Sequence, residues 1–177
     1  MAIVLVREAG IRLEDERQVA DFCRRQDIYY ERWDADRLAG WEREHGAKLS
    51  ESDQARIISA YEEEIKRLAE RRAYLNWDAV LMSDAAPELL AKFGTLHTHL
   101  EEEVRVLAEG EFAFVIRNVN GDGYFELHVE EGDVFALPAN RPHAFKLGPQ
   151  RKAVVVRLFS GEIGSVMHPF DDPSFEL

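Results

Sequence analysis

One cysteine, Cys23, is all that the chain contains, which excludes an internal disulfide and fits a reducing compartment. Basic residues are also scarce: 22 Lys and Arg stand against 34 Asp and Glu, for a formal charge of −12. With no Lys/Arg run to track a phosphate backbone, this balance argues against nucleic acid as a partner. Long apolar runs are missing as well. The opening Ile3-Val4-Leu5-Val6 is too short for a signal peptide, and nothing later approaches the length that spans a bilayer. There is no internal repeat, low-complexity segment or linker. At 177 residues and 46% hydrophobic content, the expectation is one domain, monomeric, soluble and cytoplasmic.

What is present divides into two textures. Residues 1–93 read as a strand at Ile3–Val6, a helix over Glu14–Arg25, a strand at Ile28–Trp33 and a longer helix over Glu51–Glu70. Ser50 or Ser52 can cap that last helix, and Ile57, Ile58, Tyr61, Ile65 and Leu68 recur at helical spacing to form one apolar face. Its charged residues are read as the solvated face. From residue 94 to about 160, short runs of Val, Phe and Ile alternate with Gly, Asn, Asp and Pro, the pattern of an antiparallel sandwich or barrel. The expected strands are Val104–Leu107, Phe112–Arg117, Tyr124–Val129, Val134–Leu137 and Ala153–Phe159. Asn120-Gly121-Asp122-Gly123 and Gly132-Asp133 mark turns, and 161–177 is a tail. The fold class is therefore α+β, mainly β, with the helices of the first half packed outside a β core.

Chemistry concentrates in His97, His99, Glu103 and His143. Imidazole nitrogen with carboxylate oxygen suits iron, nickel, manganese or zinc. Side chains two apart on a strand point the same way, so His97 and His99 can share one ion. Glu103 has the same parity, but four extended residues would carry it roughly 13 Å beyond His99, so Leu100-Glu101-Glu102 must bend the chain back. Any of Glu101, Glu102 and Glu103 is a candidate for the turned-in carboxylate; parity favours Glu103, which opens a strand. On that strand Arg105 shares Glu103's face, where its fork of donors can orient an anionic substrate oxygen. An ion pair between Arg105 and a spare glutamate is the alternative. His45, His128 and His168 are read as surface or hydrogen-bonded residues, His128 lying on a polar strand face with Tyr124 and Glu126.

These residues resemble the two motifs of the cupin superfamily, His97-Thr98-His99 with Glu103 and Gly110, then Gly132, Pro138 and His143, with Asn140 where a second glycine is usual. Within the cupins the chain is similar to the acireductone dioxygenase family over nearly its whole length: Trp33-Asp34-Ala35-Asp36, Tyr74-Leu75-Asn76-Trp77-Asp78, the run from His97 to Arg105, Pro142-His143-Ala144-Phe145 and Arg157-Leu158-Phe159. The resemblance implies a double-stranded β-helix, or jelly-roll, barrel holding one Fe(2+) or Ni(2+) per chain on His97, His99, Glu103 and His143. Arg105 would be the catalytic residue that meets the acireductone oxygens, and Phe93, Phe145 and Arg157 would shape the substrate pocket. The implied reaction joins the small-molecule substrate and O2 in methionine salvage. The chain departs from the family pattern at Leu96, Phe112 and Ser165. Another cupin dioxygenase acting on a different enediol or diketone, and a non-catalytic metal- or small-molecule-binding cupin, are the alternative readings.

Overall fold

A computed structural model describes residues 1–41, 48–161 and 166–177. His45 and Ser165 lie outside the described residues. The elements in chain order are β1 (Ile3–Val6), β2 (Ile11–Leu13), α1 (Glu16–Arg25), β3 (Tyr29–Arg32), α2 (Glu51–Ala60), α3 (Glu62–Arg72), β4 (Asn76–Ser83), α4 (Pro87–Gly94), β5 (His97–Thr98), β6 (Glu103–Arg117), β7 (Tyr124–Glu130), β8 (Asp133–Leu137), β9 (His143–Leu147), β10 (Lys152–Phe159) and β11 (His168–Pro169).

β6 organises the architecture. Its first half pairs with β8 and β10, and its second half pairs with β7 and β9. One strand thus belongs to two sheets, β4-β10-β6-β8-β3 and β11-β5-β9-β6-β7-β1-β2, and the molecule is the α+β, mainly β jelly roll expected. The pairing is open: β2, β11, β4 and β3 end it, so the barrel is two facing sheets and not a closed ring of hydrogen bonds.

Where the sequence suggests two strands, Val104–Leu107 and Phe112–Arg117, the chain continues as one. Ala108 is the extra residue of a β-bulge against Val154-Val155. Gly110 follows at φ +85°, where an added Cβ would lie 2.3 Å from the Lys152 carbonyl oxygen. The bulge inverts side-chain parity. Odd residues point inward up to Leu107, and even residues, Phe112, Phe114 and Ile116, point inward beyond it. The even residues before the bulge, Val104, Val106 and Ala108, face the other way.

That outer face is covered by α2 and α3. Ile57, Tyr61, Ile65 and Leu68 are buried against Val104, Val106, Val134, Val154, Val156 and Leu158, each aliphatic side chain so buried contributing roughly 1.5–3 kcal/mol. Ser50 caps α2 in a reciprocal box with Asp53. The single long helix expected over Glu51–Glu70 is two, broken at Tyr61 (φ −112°, ψ 17°). A straight rod diverges from a twisted sheet, and the break lets Ile57 and Leu68 both stay on it. α1 begins at Glu16, two residues later than expected, because Asp15 accepts from the Arg17 and Gln18 amides as its N-cap. α1 and α4 pack on the outside and contribute to the inner cluster through Val19 and Cys23 and through Leu90 and Phe93. No helix among the described residues is long and apolar enough to cross a membrane.

Candidate metal centre

β5 and β9 meet side by side, with His97 opposite His143. His99 follows β5 directly, and the chain then bends at Leu100 and Glu101 before β6 opens with Glu103. The bend that the distance argument demands is therefore present. The three imidazoles each offer a ligand nitrogen, all within 4.8 Å of one another, and all three residues are buried. Glu103 Oε2 lies 2.5 Å from His143 Nε2 and 3.8 Å from His99 Nε2.

The backbone fixes how these rings are used. Nδ1 of His97 donates to the Thr95 carbonyl at 2.7 Å, that of His99 to Val166 at 2.8 Å and that of His143 to Arg141 at 2.8 Å. A carbonyl can only accept, so Nδ1 carries the hydrogen and Nε2 keeps its lone pair. Three lone pairs converge, and the Glu103 carboxylate stands beside those of His143 and His99. Glu103 Oε2 and His143 Nε2 are fully buried and have no hydrogen-bond partner, an arrangement that calls for a cation between acceptors. The set of three nitrogens and one oxygen fits a borderline divalent transition metal.

Electrostatics keep His97, His99 and Glu103 in ligating form. Burial pushes His97 down to about 4 and also lowers His99. For Glu103, burial alone would raise the carboxyl, but the Arg105 guanidinium outweighs it and holds the group well below the usual carboxylate range.

Of the three neighbouring glutamates, only Glu103 turns in. Glu102 is taken by Arg72 and the Tyr74 hydroxyl, and Glu101 accepts from Ser160 Oγ at 3.2 Å. Arg105 does not pair with a spare glutamate. It bonds Glu103 itself and donates to the Val104 carbonyl at 2.8 Å. Across the sheet Arg105 stands opposite Arg157, and Arg157 is gripped by both oxygens of Asp78, at 2.8 and 2.5 Å.

His97, Glu103, Arg105 and Arg157 form the polar end of a narrow cavity. Phe93, Phe145, Phe114, Phe112, Val80, Met82 and Val155 form the rest. Phe93, Phe145, Arg105 and Arg157 are thus brought to one wall system. Asp78 is the residue that sequence reasoning passed over; it appears there only within a motif, and the sign of its role is the register that sets it beside Arg157. Val80 and Met82 were missed with their strand.

The model of the ARD/ARD′ family matches residues 12–166. The chain belongs to the ARD/ARD′ family. Within it, the chain is 39% identical over 175 residues to the acireductone dioxygenase of Geobacillus kaustophilus, covering 97% of both chains. It is 36% identical over 158 residues to that of Bacillus subtilis, covering 86% of both. Among solved structures, an acireductone dioxygenase of Bacillus anthracis with a cadmium ion in its active centre superposes with a TM-score of 0.86 at 30% identity, over 94% of this chain and 97% of that one. ARD/ARD′ membership accounts for the double motif on β5–β6 and β8–β9. It also makes Asn140 intelligible. At φ +61° it occupies the left-handed conformation usual for glycine, which asparagine tolerates, and its amide donates to the His99 carbonyl at 2.7 Å.

The other described histidines stand apart. His168 is exposed. His128 is a surface, hydrogen-bonded residue as expected, bonding Glu126 at 2.6 Å. Its partner Glu126 is instead buried, 3% exposed, covered by Arg7 and His128 with Lys146 at 3.8 Å; the two cations and the His128 hydrogen bond make that burial tolerable.

Proposed function

We propose that this chain is an acireductone dioxygenase that holds one divalent metal, iron or nickel, on His97, His99, Glu103 and His143. The observation that carries the reading is the buried set of three imidazoles and one carboxylate, with Glu103 Oε2 and His143 Nε2 unpaired, opening onto a cavity whose other polar groups are two arginines. The family membership and the names of the relatives support acireductone as the substrate.

A bound metal supplies Lewis acidity and a template for the oxygens of substrate and O2. The chain's own residues do the rest. Arg105, buried and pinned by the Val104 carbonyl and Glu103, presents a fixed cation to a substrate that arrives as an enediolate, and stabilises its anionic oxygens. Arg157 is a second cation across the strand, and Asp78 fixes the direction of its guanidinium. Phe93, Phe114 and Phe145 exclude water from around the reacting carbons. In this reading acireductone (1,2-dihydroxy-3-keto-5-methylthiopentene) and O2 give 2-keto-4-methylthiobutyrate and formate with iron, within methionine salvage. With nickel they give methylthiopropionate, formate and carbon monoxide.

Purified protein loaded with iron or with nickel is expected to consume acireductone under air, and stripped protein is not. Metal-loaded protein that leaves acireductone untouched would overturn the assignment.

A further inference from the structure

We propose that Phe112, with Met82 on the facing sheet, is the gauge that limits how long an apolar tail the cavity accepts. The inference names a substrate feature and rests on the reading of the site above, since the tail is measured from oxygens held at the metal end.

Strand register gives each cavity residue a depth. On one sheet the sequence of levels is His143 opposite Ile116, then Phe145 opposite Phe114, then Leu147 opposite Phe112. On the facing sheet it is Glu103, then Arg105 opposite Arg157, then Leu107 opposite Val155, with Met82 one level further, opposite Ala153. Each level is roughly 6.6 Å, two residues of strand. Phe112 therefore stands two levels, roughly 13 Å along the strand, from His143. The arginines and the ligands occupy the first levels, and the apolar residues occupy the deep ones.

Phe112 is placed to act as a floor. The bulge at Ala108 and the turn of Gly110 invert the parity of β6, which is what swings residue 112 into the barrel. Its ring is 2% exposed. It is wedged by Phe145 at 5.1 Å, Phe114 at 5.5 Å and Phe135 at 6.1 Å between centroids. A ring held on three sides cannot swing away for a longer ligand. Met82 lies one level deeper on the facing sheet, with a more adaptable side chain, so the rigid limit is Phe112. The gauge selects a tail about the size of a methylthioethyl group and rejects long alkyl tails.

The probes are alkanehydroxamates of increasing chain length, bidentate oxygen chelators that bind metal without turnover. Protein reconstituted with nickel is titrated with the series, for wild type, Phe112→Ala, Phe112→Leu and Met82→Ala, after metal content confirms folding. Wild-type affinity should rise about fourfold per methylene while the tail is being buried and then fall. In Phe112→Leu the fall should move to longer tails, and further in Phe112→Ala; Met82→Ala should move it less. If Phe112→Ala does not fold, the leucine variant decides. The same cut-off in wild type and the Phe112 variants overturns the gauge. A parallel turnover assay with acireductones of graded tail separates the two readings. A shifted hydroxamate cut-off with no acireductone consumed sinks the proposed reaction and leaves the gauge standing; turnover with an unmoved cut-off does the reverse.

Discussion

Each imidazole of the site is a two-ended device, and both ends are assigned. For His143, Nδ1 is tied to the Arg141 carbonyl and Nε2 is buried without a partner, whereas His128 spends Nε2 on Glu126. Replacing one ligand also leaves the remaining acceptors facing a hole. His143→Ala is therefore expected to lower bound metal, measured per chain after loading and desalting, by at least tenfold; loss of an outer contact alone costs about 10- to 100-fold in affinity. His128→Ala should keep the wild-type content. Equal metal in the two variants would refute the ligand assignment. That these residues share a face is legible at the residue scale because strand parity is short-ranged: His97 with His99, and Glu103 with Arg105, need only local geometry. The choice among Glu101, Glu102 and Glu103 was also local. What no local rule supplies is Asp78, more than seventy residues from Arg157 and brought to it only by the pairing of β4 with β10.

At the scale of the element, β6 carries both Glu103 and Phe112, and its mid-strand inversion decides which residues face the metal and which form the floor. Gly110 and Gly121 test this cleanly. Both have positive φ, +85° and +82°, so an alanine at either is strained by about 1–3 kcal/mol. An added Cβ at Gly121 meets nothing within 4 Å, while at Gly110 it strikes the Lys152 carbonyl. Gly110→Ala is thus expected to lose clearly more stability than Gly121→Ala in urea denaturation, and to lose metal as well. Similar losses would show that the close approach to Lys152 is unimportant. This inversion is invisible in the sequence, where Gly110 reads only as a motif residue between two separate strands. β4 was missed for a different reason. In Ala79-Val80-Leu81-Met82 both faces are apolar, because Ala79 and Leu81 meet the helices while Val80 and Met82 enter the barrel, and such a run has no period to read. β9, opening on the ligand His143, was read as a motif and not as a strand. By contrast, β1, β7, β8 and β10 fall close to their expected spans, each bounded by turn residues or charge.

At the scale of the whole molecule, two apolar clusters share the sheet between them, one inside the barrel and one beneath α2 and α3. α1 ties the N-terminal third to the inner cluster through Cys23, which is fully buried. Burial, and secondarily the charge of Asp133, pushes its thiol up to about 12 from an ordinary value near 9. The sign follows from proton counting. Above pH 9 the unfolded chain releases the Cys23 proton while the folded chain holds it, so the unfolded state gains and stability falls as pH rises from 9 toward 12; below pH 9 the thiol contributes no slope. Three units correspond to on the order of 4 kcal/mol at the top of that range. Tyr29, Tyr30, Tyr61, Tyr74 and Tyr124, each raised by burial first, add to the loss as free tyrosine ionises toward pH 10, so the share of Cys23 is the difference between wild type and Cys23→Ala from pH 9 to 10. Unfolding free energies measured in urea across that window should decline for the wild type, and Cys23→Ala should flatten the decline. Iodoacetamide at pH 8.5 should label Cys23 at a rate that follows global unfolding, rising steeply through the urea transition. Labelling at the rate of an exposed thiol in native buffer, or an unchanged slope in Cys23→Ala, would mean that the packing of α1 on the barrel opens independently of the rest.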